Sequence, residues 1–373
     1  MARGPHKADV IVVGAGIAGV SLSGRLAGAR SVLILEMEAQ PGYHTTGRSA
    51  ATYDPTYGPQ VIRDLTMASG PFFREPPDGF SEASLVTPRG FLAVGGPDDG
   101  ESARRAIALG MAPISYADAV ARLPLLRDGA RHLLFDDRIT DIDVDLLLQG
   151  FLRQHRRAGG ALLTKTALQS GVRADGVWRL ETSVGPCEAP ILVNAAGAWA
   201  DDVARCCGVA KLDLTPKRRS VCIVPPPPGT EVSNWPLLST LSETFFARPT
   251  GGKLMISPLD AVPSEPHDAF ADDLLLAEGI DAYSQAVDHE VTRIERSWGG
   301  LRTFAPDGDP AVGFDPSADG FFWCVGQGGY GIQTSPALSE AAAALVMGEA
   351  SRFAGALSPA RLRGKAGKVD AAS

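Results

Sequence analysis

The chain has 373 residues, 45% hydrophobic and 21% charged, a composition typical of a soluble globular protein long enough for two cores. Its formal net charge of -8 and the lack of a basic stripe argue against a nucleic-acid partner. No run approaches the ~20 apolar residues of a membrane-spanning helix, and five cysteines without a C-x-x-C pair fit a reducing, cytoplasmic setting.

Arg3, His6 and Lys7 precede an apolar stretch, as in a signal peptide, but the glycines that follow stand where a nucleotide turn needs them. Val10 to Val13 reads as a strand, Gly14-Ala15-Gly16-Ile17-Ala18-Gly19 as a G-x-G-x-x-G turn opening a helix, and Val32 to Leu35 as a second strand ending in Glu36. Gly14 supplies the tight turn, Gly16 lets a pyrophosphate approach, and Gly19 lets the helix lie close to the strand. Glu36 is placed for ribose hydroxyls and would repel a 2′-phosphate, so NADP is disfavoured. The following segment, Gln40 to Ala51, offers small residues, amides and hydroxyls where a nicotinamide fold would continue with its next strand and helix.

A second strand and helix block starts near Asp141, with a helix over Leu146 to Arg157, and ends in the strand Ile191 to Asn194 and the turn Ala195-Ala196-Gly197. Between the blocks, segments 84 to 140 and 211 to 294 carry proline punctuation and short strands. There, Glu243 to Arg248 and Lys253 to Ser257 read as a hairpin turning at 249 to 252. The third block holds the strand Phe321 to Val325, a glycine-rich turn, and an alanine-rich helix with Ser335 as N-cap and Pro336 at its first position. That helix start would favour the negative charge gathering on a reduced flavin ring.

The pattern implies an α/β fold: a discontinuous Rossmann-like FAD-binding domain (1–83, 141–210 and 295–365) and an antiparallel-sheet, α+β substrate domain (84–140 and 211–294). The tail after Pro359, above all 366–373, reads as loose. His132, His155, His267 and His289 lack metal-ligand spacing, and no metal is expected.

These residues resemble the FAD-dependent D-amino acid oxidase superfamily, and within it the bacterial D-arginine dehydrogenase type. The runs P-G-Y-H-T-T-G-R-S-A-A at 41 to 51, V-N-A-A-G-A-W at 193 to 199, P-K-R-R-S at 216 to 220, G-L-R at 300 to 302 and Q-G-G-Y-G-I-Q-T-S at 327 to 335 carry the likeness. It implies noncovalent FAD and oxidation of a D-amino acid, by hydride transfer to the flavin, to an imino acid that water converts to a keto acid. The electron acceptor would be oxygen or a quinone or other redox carrier. The cofactor-binding set it implies is Gly14, Gly16, Ile17, Ala18, Gly19, Glu36, Gln40, His44, Thr45, Thr46, Arg48, Ser49, Ala50, Ala51, Ala196, Gly197, Gly331, Ile332, Gln333 and Thr334.

An amino acid oxidase needs a carboxylate clamp, and arginine suits it through its planar, permanently charged fork. Arg218 and Arg219 share a strand and face opposite sides. The resemblance selects Arg219 with Arg302, adds the Gly329 carbonyl as acceptor for the amine, and makes Tyr57 a lid hydroxyl. It also marks departures: Phe91 stands where D-arginine enzymes place a glutamate, Thr52 for a histidine, Asp54 for a threonine and Phe246 for a tyrosine. Without that glutamate a guanidinium loses its counter-charge, so an uncharged side chain is expected, with Asp54 as the one replacement charge. Alternatives are an oxidase of glycine, N-methyl or cyclic secondary amines, or a non-catalytic flavin-binding scaffold.

Overall fold

A computed structural model describes residues 5–363 of the chain. Five parallel strands run in the order Ala161–Leu163, Val32–Leu35, Val10–Val13, Ile191–Asn194 and Phe321–Val325, with Ala311–Phe314 antiparallel at the edge. The three apolar runs Val10–Val13, Val32–Leu35 and Phe321–Val325 are wholly buried, because both faces of a parallel sheet are covered. Alternate residues split between two cores. Val10, Val12, Ile34 and Phe322 pack towards residues of the helices Ile17–Leu26, Val144–Arg157 and Gly331–Val346. Ile11, Val13 and Leu33 instead meet Trp178, Leu180 and Cys187 of a four-stranded sheet.

Two glycines are required by this packing. Gly14 has φ +105, and a Cβ there would lie 2.5 Å from the Ala195 carbonyl oxygen. A Cβ at Gly19 would lie 2.0 Å from the Gly14 oxygen, so only glycine lets the helix sit this close to the turn.

The second large sheet has ten strands. Its path is Gln327–Gly328, Arg296–Phe304, Thr215–Val224, Lys253–Ser257, Phe246–Thr250, Leu237–Thr240, Phe91–Gly95, His132–Asp136 and Ala112–Pro113, with Val262–Pro263 paired to Thr215–Val224. One face of it closes a core in which Cys222, Val224, Leu238 and Ile256 meet Leu276 and Tyr283 of the helix Asp273–Ala286. A three-stranded sheet, Thr52–Tyr53, Thr140–Ile142 and Val86–Pro88, lies apart from both.

Several expectations are corrected. The strand Arg296–Phe304, assigned by sequence to the nucleotide segment starting at 295, is hydrogen-bonded along nine residue pairs to Thr215–Val224 in the ten-stranded sheet. The hairpin turns at Gly251 and Gly252, with φ +55 and +73, and its first strand runs on through Thr250. The last long helix begins at Gly331, not after Ser335. Pro336 lacks the N–H that would reach the Ile332 carbonyl, and the Ser335 hydroxyl donates to that carbonyl at 3.0 Å instead, so the helix continues through the proline. Residues Ala360–Arg363 are helical and tied by the ion pairs Arg361–Asp307 and Arg363–Asp315, while the tail 366–373 lies outside the described residues.

Candidate active site

A cavity of about 820 Å³ runs between the two sheets. Its nucleotide end is the turn after Val13, where Gly14, Gly16, Ile17 and Ala18 line it together with Glu36. Glu36 is 8% exposed, and its carboxylate accepts the Ala15 amide at 2.7 Å and the Glu38 amide at 2.9 Å, which fixes it beside the turn. The Ile17 amide donates to the Thr46 hydroxyl at 3.0 Å, closing the loop 41–51 over the helix start.

Along that loop His44, Thr45, Thr46, Arg48, Ser49, Ala50 and Ala51 all line the cavity, as do Ala196, Gly197, Gly331, Ile332 and Gln333. Gly19, Gln40 and Thr334 do not. Gly19 acts through packing, and the Thr334 hydroxyl is turned back to the Tyr330 carbonyl at 2.9 Å. The Arg48 guanidinium is also committed elsewhere: it donates to the carbonyls of Ala269 at 3.1 Å and Gly299 at 2.9 Å and pairs with Asp268. His44 bonds Glu38 at 2.9 Å and packs on Trp199, ring centroids 4.5 Å apart.

These residues fit FAD. Gln333 is 4% exposed, yet its Nε2 donor has no partner among the described residues while its Oε1 accepts the Asp54 amide at 3.0 Å. A buried unpaired donor at the first turn of a helix, in the cavity wall, awaits an acceptor. At the opposite end Gly16 faces open space, with only the Thr46 hydroxyl near its Cβ position at 3.4 Å.

Arg219 and Arg302 enter the cavity from adjacent strands. Arg219 lies opposite Gly300 and Arg302 opposite Lys217, so the two arginines are diagonal neighbours on one sheet face, with a glycine leaving room between them. Arg218 points the other way and pairs with Asp272 at 2.8 Å. Among the described residues neither cavity arginine forms an ion pair with a carboxylate. The Arg219 Nε donates to the Asp260 carbonyl at 2.5 Å. Burial, then the like charge of Arg302, hold Arg219 well below the usual guanidinium value. The Arg302 guanidinium lies over the rings of Phe304 at 5.6 Å and Tyr330 at 5.8 Å.

Tyr57 stands at the rim, 37% exposed, with its ring edge-on to Tyr330 at 5.1 Å. Thr52, Asp54, Phe91, Phe246 and Gly329 also line the cavity. Asp54 Oδ1 accepts the amide and hydroxyl of Thr56 at 2.8 and 2.6 Å, and burial raises its pKa despite those bonds. Sequence reasoning missed Trp199 and Tyr330, although both sit inside the quoted runs. It also missed the helix Gly100–Ala108 and Met111, which wall the far end and carry no local signal of a site.

Comparison with known proteins agrees with this geometry. The chain is 31% identical over 182 residues to "FAD-dependent oxidoreductase domain-containing protein 1" of Xenopus laevis, a match covering 43% of this chain and 35% of that protein. It therefore spans about a third of the length of the curated relatives it matches first. By fold it is similar to glycine oxidase from Geobacillus kaustophilus, with a TM-score of 0.80 at 20% identity over 95% of this chain and 98% of that one. It is equally similar to L-proline dehydrogenase from P. horikoshii, with a TM-score of 0.81 at 20% identity over 96% and 99%. The family described as DAO, FAD dependent oxidoreductase, matches residues 9–345, and the chain accordingly belongs to it, as an FAD-dependent oxidoreductase.

Proposed function

We propose that this enzyme oxidises the C–N bond of a carboxylated amine, an α-amino acid with an uncharged side chain, giving an imino acid that water hydrolyses to the keto acid. The observation that carries this reading is the pair Arg219 and Arg302, facing one cavity without carboxylate partners among the described residues. Two close guanidiniums, neither neutralised by an ion pair, form a receptor for an anion of the substrate.

FAD, held noncovalently by the loop 41–51 and the turn after Val13, would supply the two-electron oxidant for this C–N bond. The chain's part is placement. Arg219 and Arg302 fix the carboxylate, the Gly329 carbonyl accepts a hydrogen bond from the amine, and Tyr57 closes the rim. Phe246 screens the carbon being oxidised from water, Phe91 lies farther along the wall towards the side chain, and the amides opening the helix Gly331–Val346 supply positive potential at the cavity wall.

The D configuration is the one implied by the sequence resemblance. A second reading, oxidation of glycine or of a cyclic secondary amine, draws support from the fold likeness to a glycine oxidase and an L-proline dehydrogenase. An anaerobic screen of D- and L-amino acids, glycine, sarcosine and proline against the yellow holoenzyme decides between them. Bleaching by D-methionine or D-leucine ahead of glycine and proline is the expected result, and bleaching by glycine or proline alone selects the second reading.

A further inference from the structure

The cavity does not stop at Phe91. On the sheet face that carries Arg219, successive strands contribute Phe246, then Leu237 and Ser239, then Phe91 and Ala93. From Thr215–Val224 to Phe91–Gly95 the path crosses four strand spacings, roughly 19 Å along the sheet. Past the last of these strands the helix Gly100–Ala108 covers the sheet, and Ala93, Ala103, Met111 and Leu134 form a small core there, with Phe91, Ala106 and Leu241 packed against it. Phe91, Ala93, Ala106, Leu109, Met111 and Leu241 all face the cavity, and Leu109, at 41% exposure, marks its outer rim.

The charges at this end are engaged or solvated. Arg105, which lines the cavity with Ser102, pairs with Glu101 at 2.7 Å and donates to the Ser102 hydroxyl at 3.1 Å. Asp54 is occupied by Thr56 through one oxygen. Among the described residues an anionic tail would therefore find no free counter-charge, and the unpaired carboxylate in this wall, Glu243, is exposed to solvent, whereas a hydrocarbon chain would displace water from six apolar side chains.

We propose that this end of the cavity is a subsite for an extended hydrocarbon chain, so that the substrate is an α-amino acid whose alkyl or arylalkyl side chain is longer than that of leucine or methionine. The proposal rests on the reading above only in taking Arg219 and Arg302 as the carboxylate anchor.

The test is a titration of the oxidised holoenzyme with straight-chain carboxylates from acetate through dodecanoate, a chain long enough to reach the chamber from the arginine side chains, followed by the perturbation of the flavin absorbance. Affinity should rise about fourfold per methylene from butyrate onwards, the gain for a fully buried CH₂. Ala106→Trp, which fills the chamber, should flatten the rise beyond octanoate. Leu109→Asp, at an exposed position where folding is not at stake, should weaken dodecanoate at least tenfold relative to acetate.

Affinity that is flat beyond octanoate in the wild type, or a dodecanoate-to-acetate ratio unmoved by both variants, overturns the subsite. If the series holds but no amino acid bleaches the flavin, the subsite stands and amine oxidation falls. If amino acids bleach the flavin while the series is flat, the reverse follows.

Discussion

Arg302 and the residue at 329 fit together because that residue is glycine: a Cβ there would stand 1.7 Å from Arg302 Nη2 and 2.1 Å from its Cζ. The missing side chain is the space the guanidinium occupies, and the Phe304 and Tyr330 rings complete the slot. In Gly329→Ala the guanidinium must shift. At least a tenfold loss of kcat/KM, about 1.4 kcal/mol, is expected with FAD content unchanged. Steady-state kinetics and the flavin-to-protein absorbance ratio test it, and wild-type kinetics would show that the slot does not matter.

Arg302→Met removes the charge but keeps much of the side-chain volume. Charge-assisted hydrogen bonds contribute about 1.5–3 kcal/mol, so kcat/KM should fall by roughly one to two orders of magnitude. A variant with unaltered kinetics places Arg302 outside the carboxylate site.

Phe91→Glu should reorder the substrates. The wild type is expected to prefer D-methionine, D-leucine or D-phenylalanine to D-arginine, because a buried cation without a partner is disfavoured more than an apolar chain gains. The variant should gain activity on D-arginine and lose it on the apolar set. D-arginine as the best wild-type substrate, with a ranking unmoved by the variant, would shift attention to Asp54.

Asp54 provides a pH test of stability. Burial raises its folded pKa above the ordinary 3.8. The folded state therefore holds the proton more readily than the unfolded chain, and stability falls as pH rises from near 3.8 through the folded value. Asp54→Asn keeps the acceptor for Thr56 and removes the buried charge. Its Tm should exceed that of the wild type at pH 7, with the gap closing as pH drops to about 3.8. A gap that widens on acidification would reverse the assignment.

Acid precipitation should release all the flavin into the supernatant. His44 is engaged by Glu38 and Trp199, and Cys324 is 1% exposed with its thiol pushed up to about 12 by burial, so neither is set up to hold the ring covalently. Yellow colour left on the pellet would contradict this.

What the sequence conveyed was what neighbours along the chain determine. The strand Val10–Val13, the turn at Gly14 and the acid at Glu36 lie within one local unit, and the strand period alone separates Arg219 from Arg218. The helix start at Gly331 was misplaced because Pro336 is an ordinary stop signal unless a hydroxyl beside it, here Ser335, replaces the missing bond. The partners of the Arg48 guanidinium, Asp268, Ala269 and Gly299, were not legible because they are remote in sequence. The chamber beyond Phe91 was invisible for the same reason: Ala106, Met111 and Leu241 converge only once the ten-stranded sheet has formed.

Those remote contacts of Arg48 carry a mechanical meaning. The loop that closes over the nucleotide turn is fastened to the strand bearing Arg302 by Arg48 on Gly299, by the Thr45 hydroxyl on the Leu301 carbonyl at 2.6 Å, and by the Trp298 indole on the Arg48 carbonyl at 3.2 Å. Cofactor loop and anion receptor are thus one clasp, so ordering gained when one of them fills is ordering the other no longer has to supply.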